Sequence, residues 1–179
     1  MPQTAAVASS VHTLRNVTVQ INNLTSKYCL LNPKVFMETG RVFNPPQPTV
    51  QPMKSKLCSF HMLEGTATGS VGVMTYDLFV KGGNDHIQTM AIMFSVPFDY
   101  NLHKNWFAVG FYPKERQCDQ ALYKEMYYNS AKDFVREEAN GSGIHFEGGH
   151  LDIRATMSAV GRAVIKVELW EKLPVVHHQ

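Results

Sequence analysis

The sequence predicts an all-β domain, a sandwich or a barrel, carrying one or two short α-helices. Three observations predict it: hydrophobic residues recur mostly every second position, the apolar runs are short, and Gly/Pro breakers separate them. A chain of 179 residues, 44% of them hydrophobic, supplies one core of ordinary size. The expected domain is 16–172, preceded by a short segment 1–15 and followed by a polar tail 173–179 that holds His177 and His178.

Taken in order, residues 4–14 (TAAVASSVHTL) can form a weak helix, since they are Ser/Ala-rich and below the length that is stable alone. Val17, Val19 and Ile21 alternate with Thr18 and Gln20, the pattern of a half-buried strand. Phe60 and Met62 alternate more loosely with His61 and Leu63. Residues 70–80 and 89–96 are apolar on both faces, as central strands would be. Trp106–Tyr112, Leu151–Met157 and Ala163–Trp170 supply three more strands. The breakers are Asn44-Pro45-Pro46, Gly82-Gly83, Gly141-Ser142-Gly143 and Gly148-Gly149. One segment departs from the period of two. Across Asp119–Tyr128, Asp119 can cap a helix, and Leu122/Met126 and Tyr123/Tyr127 are i,i+4 pairs.

Composition excludes several functions. Lys plus Arg number 17 against 15 acids, with no basic stripe, so no nucleic-acid partner is expected. No stretch approaches the roughly 18 apolar residues of a membrane-spanning helix. The opening MPQTAAVA lacks the basic and apolar regions of a secretory leader, which on sequence alone points to the cytoplasm. Cys29, Cys58 and Cys118 are odd in number and widely spaced, which predicts free thiols. The sequons at Asn16, Asn23 and Asn140 would matter only in an exported chain. Eight scattered histidines offer no metal-ligand spacing, and Gly-x-Ser-x-Gly, P-loop and Gly-x-Gly-x-x-Gly patterns are missing. The expectation is a protein that is not an enzyme and needs no metal or cofactor.

The unusual feature is aromatic clustering. Residues 94–112 read FSVPFDYNLHKNWFAVGFY, a turn rich in rings, and three tyrosines follow on the short helix. Rings with one wet end sit well at the headgroup level of a bilayer. The expected membrane-contacting set is Phe98, Tyr100, Leu102, Lys104, Trp106 and Phe107.

FSVPFDYN at 94–101, Asn105-Trp106, Asp119-Gln120, Leu122-Tyr123 and Tyr127-Tyr128 closely resemble the actinoporins, the pore-forming toxins of sea anemones. Ala67-Thr68-Gly69-Ser70-Val71-Gly72 resembles their ATGAV stretch, and the likeness runs in register over residues 16–170. It implies a compact β-sandwich flanked by helices, secretion, attachment to a target cell membrane and homo-oligomers there. It also implies a phosphocholine pocket built by Thr39, Val71, Ser95, Pro97, His103, Tyr123, Tyr127 and Tyr128. The chemistry is coherent: a quaternary ammonium neither accepts nor donates an N–H hydrogen bond and is held by π faces, while phosphate takes hydroxyl donors.

The departures from the family pattern carry information too. Leu102-His103 stands where the family has Trp-Tyr, and Phe107 where it has a second Trp. Glu38-Thr39 replaces Arg-Ser, and a carboxylate there repels phosphate or favours a different ligand. Arg136-Glu137-Glu138 lies near the place of the family's Arg-Gly-Asp-like stretch. About fifteen residues precede the first strand; as a helix they would rise about 22 Å, short of the roughly 30 Å hydrocarbon core. Membrane recognition is therefore expected ahead of perforation. Two other readings stay open: a carbohydrate-binding lectin of the same fold, with glycans as partners, and a protein-interaction module that uses the aromatic loop.

Overall fold

The computed structural model describes residues 13–172. The helix expected within 4–14 and the tail 173–179 lie outside the described residues, apart from Thr13 and Leu14. In chain order the strands are β1 (Asn16–Asn23), β2 (Tyr28–Thr39), β3 (Arg41–Asn44), β4 (Thr49–Val50), β5 (Lys54–His61), β6 (Ser70–Val80), β7 (His86–Val96) and β8 (Trp106–Tyr112). Then follow the helix α1 (Gln120–Tyr128) and the strands β9 (Phe134–Glu138), β10 (Ile144–Gly148), β11 (Leu151–Met157) and β12 (Arg162–Glu171).

Strand pleating explains how these elements stack. In β1 the odd residues Val17, Val19 and Ile21 are fully buried, opposite Phe60 and Cys58 of β5 and Ala163, Ile165 and Val167 of β12. That face of the sheet β10–β11–β12–β1–β5–β3 must find an apolar partner. It finds one in the sheet β4–β2–β6–β7–β8–β9, through Met74, Tyr76, Met90, Ile92, Phe94, Phe107 and Val109. Phe60 and Phe94 stack across the two layers with ring centroids 4.6 Å apart. Each such large side chain contributes about 1.5–3 kcal/mol by leaving water. The result is the β-sandwich that the sequence predicts, closed by one parallel pairing, β1 with β12.

The central strands are apolar on both faces because both faces are covered. Even-numbered residues of β6 and β7 enter the sandwich core, while Val71, Val73, Ala91 and Met93 lie under α1. Of the two flanking helices allowed for, α1 is the one within the described residues. All three cysteines are free thiols.

Candidate functional site

The helix at the site starts as its sequence requires. Asp119 is in extended backbone, and its Oδ1 accepts a hydrogen bond from the Leu122 amide at 3.0 Å, satisfying one of the unpaired donors of the first turn. Leu122 and Met126 are fully buried against Val73, Ala91, Met93 and Ala108. The small side chains of Ala91 and Ala108 leave room for the helix to settle close to the sheet. On the outer side the Tyr112 hydroxyl donates to Glu125 Oε2 at 2.6 Å, and the Arg116 Nη1 lies 3.3 Å from the same oxygen. At the far end Arg136 Nη1 donates to the Met126 and Asn129 carbonyls at 2.8 and 2.7 Å. These contacts fix the helix along its whole length, a condition for any site built on it.

The tyrosines emerge in a graded row. Tyr123 is buried, Tyr127 half-buried and Tyr128 68% exposed. Tyr123 and Tyr127 stack at 5.7 Å between centroids, and Tyr128 meets Tyr127 edge-on at 4.7 Å. Burial pushes the Tyr123 phenol up, and the neighbouring rings and Glu38 push the same way. Burial also raises Tyr127, opposed by a hydrogen bond with Ser95 and by the Arg136 charge. Both rings therefore stay neutral over the ordinary pH range.

Beneath the row runs one line of cross-strand neighbours: Thr39 pairs with Val71, Val71 with Ser95, Ser95 with Trp106, and Trp106 with Glu138. Directly paired residues share a sheet face. Thr39, Val71 and Ser95 thus come together on the helix side, from strands far apart in sequence. Val71, Ser95 and Pro97 are buried, and the Thr39 hydroxyl donates to the Gly69 carbonyl at 3.1 Å, so its proton is already engaged. Gly69 is itself demanded here, since a methyl group on it would drive into the Val96 carbonyl oxygen.

Pro97 leads directly into the aromatic loop. Asp99 closes the turn, its carbonyl accepting from the Leu102 and His103 amides at 3.2 and 3.1 Å and its Oδ1 from the Asn101 amide at 2.9 Å. Leu102 (73% exposed), His103 and Lys104 face solvent. Phe98, Tyr100 and Trp106 are half-buried. The expectation for Phe107 is corrected: it is fully buried in the sandwich core, paired with Phe94. Adjacent strand residues point to opposite faces, so Trp106 on the helix side forces Phe107 inward.

Two residues outside the expected site sets hold this loop: Arg15, which the sequence reading passed over, and Asn105, quoted there only as part of the family motif. Arg15 Nε donates to the Pro97 carbonyl at 2.9 Å and Nη2 to the Phe98 carbonyl at 2.8 Å. The same guanidinium lies 4.5 Å from the Tyr100 ring centroid and 5.5 Å from that of Phe98. Asn105, 2% exposed, accepts from the Tyr100 hydroxyl at 2.8 Å and donates to the Ser158 and Val160 carbonyls, each at 3.0 Å. Position alone could have flagged Arg15, a cation standing immediately before the first apolar strand.

A separate groove of about 670 Å³ lies on the outer face of the other sheet, lined in part by Gln20, Asn22, His145, Arg154, Lys166 and Glu168. None of the residues expected in the headgroup pocket lines it.

Comparison with known proteins agrees with this architecture. The chain is 38% identical over 103 residues to DELTA-actitoxin-Aeq1a of Actinia equina, covering 58% of this chain and 44% of that protein. It is 35% identical over 104 residues to DELTA-stichotoxin-Hcr4a of Radianthus crispa, covering 57% of this chain and 53% of that protein. The match to cytolysin tenebrosin-B of Actinia tenebrosa is 38% over 103 residues, 58% of this chain and 44% of that protein. The chain thus spans about half the length of these relatives, whose names denote toxins and a cytolysin rather than enzymes. Among solved structures, the lipid-binding protein Nakanori superposes with a TM-score of 0.73 at 11% identity, covering 94% of this chain and 77% of that one, which shows a shared fold. The family described as sea anemone cytotoxic protein matches residues 8–171, and the chain belongs to that family, the actinoporins.

Proposed function

We propose that this protein attaches, without catalysing a reaction, to membranes that display phosphocholine headgroups, the polar ends of sphingomyelin and phosphatidylcholine. The observation that carries the reading is the row Tyr123, Tyr127 and Tyr128, graded from buried to exposed beside Ser95 and next to a loop that presents Leu102 and Lys104. Neutral phenol faces suit a quaternary ammonium, each contact adding about 1–2 kcal/mol once water is excluded. The Tyr127, Tyr128 and Ser95 hydroxyls suit the phosphate. Leu102 enters the interface, and Lys104 meets lipid phosphates.

The test is co-sedimentation with sphingomyelin/phosphatidylcholine vesicles, comparing the wild type with Tyr127→Ala/Tyr128→Ala. Loss of two ring contacts weakens binding roughly 30-fold or more. Equal binding by both proteins removes the assignment. Assembly into homo-oligomeric pores that pass cations extends the reading along family lines, and dye release from the same vesicles decides it. Binding with release supports perforation, and binding without release confines the protein to attachment.

Carbohydrate binding is a second reading, favoured by the groove beside Arg154, Lys166 and Glu168, where cationic and carboxylate groups could pair with sugar hydroxyls. A glycan array read beside the vesicle assay separates the two.

A further inference from the structure

The register of β2 against β6 has an interruption at the site. Phe36 pairs with Val73 and Met37 with Gly72, but Thr39 pairs with Val71, so Glu38 is the extra residue of a β-bulge. A bulge re-aims the side chain it carries. Here the Glu38 carboxylate comes to the first turn of α1, where its Oε2 accepts from Gln120 Nε2 at 3.2 Å. Among the described residues no cation forms an ion pair with Glu38. At the opposite end of α1 stands a guanidinium: Arg136 is bound to the Met126 and Asn129 carbonyls, its charge acting on Tyr127 while the Glu38 charge acts on Tyr123, and Glu138 lies beyond it on the same sheet face, paired with Trp106. The helix crosses the sheet from β2 toward β9, so the tyrosine row lies between a carboxylate and a guanidinium.

We propose that Glu38 and Arg136 give the tyrosine site opposite poles, so that a zwitterionic choline headgroup lies along α1 with its ammonium toward Glu38 and Tyr123 and its phosphate toward Ser95, Tyr127 and Arg136. This rests on the headgroup reading above and adds a direction and a selectivity to it. A quaternary ammonium offers no hydrogen-bond donor, so an unpaired carboxylate attracts it through its field alone. A phosphate takes hydroxyl donors and favours the end nearer a guanidinium. The nine residues of α1 span about 13 Å, so the poles act as a field along the site rather than by direct pairing at both ends. Anionic lipids that lack an amine meet only repulsion at the Glu38 end. The site therefore selects zwitterionic over net-negative headgroups.

Glu38 could instead serve only the helix, since a carboxylate beside an N-terminal turn complements the helix dipole. Selectivity separates the roles. Binding is measured for wild type, Glu38→Gln, Glu38→Arg and Tyr127→Ala on phosphatidylcholine vesicles and on vesicles of phosphatidylcholine mixed equally with phosphatidylglycerol, at low and high salt. The wild type prefers pure phosphatidylcholine. Glu38→Gln narrows that preference about three-fold and Glu38→Arg about ten-fold at low salt, and both effects fade near 1 M salt, where the screening length falls to roughly 3 Å. If both Glu38 variants keep the wild-type preference, whatever their melting temperatures, while Tyr127→Ala loses phosphatidylcholine binding, the poles are refuted and the headgroup site stands. If Tyr127→Ala binds phosphatidylcholine as well as the wild type, the headgroup reading falls and the poles fall with it.

Discussion

Replacing Arg15 by Ala tests how the docking loop is held. The guanidinium makes two charge-assisted hydrogen bonds, to the Pro97 and Phe98 carbonyls, and lies over the Tyr100 ring at 4.5 Å. Hydrogen bonds from a charged group are worth about 1.5–3 kcal/mol each when sheltered, and a half-exposed cation–π contact about 0.5–1 kcal/mol. Water can replace part of the hydrogen bonding in this partly buried place, so the expected loss is about 2–3 kcal/mol. For a domain of this size that lowers the melting midpoint by roughly 5–10 °C. The freed loop must also be reordered at the bilayer, weakening vesicle binding about five-fold. Calorimetry and vesicle titration read the two effects. Arg15→Lys keeps the charge but not the two-pronged geometry and recovers only part of either. An Arg15→Ala protein that melts and binds like the wild type refutes the clamp.

Two further outcomes follow from burial and charge. Phe107→Ala opens a core cavity and costs about 3–5 kcal/mol of stability, whereas Leu102→Ala leaves the unfolding midpoint unchanged and lowers vesicle affinity; the converse pattern would put Phe107 at the membrane after all. His61 titrates below its ordinary value because it is buried and because Arg41, whose Nε donates to its Nε2 at 2.7 Å, repels a second positive charge, with Glu64 opposing. The unfolded chain then binds a proton that the folded one resists, so stability is complete above about pH 6.5 and falls as pH drops below it. Urea midpoints at pH 7 and pH 5 should differ more for the wild type than for His61→Gln, and equal differences would contradict this.

The sandwich was legible because its strands carry their burial openly. Val17, Val19 and Ile21 alternate cleanly in sequence, although Thr18 and Gln20 are buried as well, so β1 is not the half-buried strand its alternation predicts; β6 and β7 show the doubly apolar pattern of strands covered on both sides. Strands β2, β3, β4, β9 and β10 were not, for physical reasons. β2 is interrupted by Asn32 at a φ of 53° and by Pro33, and its register slips twice. The other four are short, with two to five residues each, too few to establish a period. At the site, the helix cap and the tyrosine spacing could be read from Asp119, Tyr123 and Tyr127 because helical geometry is local. The row that joins Thr39, Val71 and Ser95 could not be, because it depends on cross-strand register and reached the sequence reading through family resemblance. The inward turn of Phe107 was available from pleating alone, once Trp106 is set on the helix side.

The central claim is that choline-type headgroups are gripped at the tyrosine row rather than elsewhere on the molecule. The most direct measurement is a two-dimensional NMR titration of the backbone amides with soluble phosphocholine. The account predicts saturable shifts at Ser95, Tyr123, Tyr127 and Tyr128 while Asn22, Lys166 and Glu168, across the sandwich, stay in place. Shifts confined to that opposite groove, with the tyrosine amides unmoved, would contradict it.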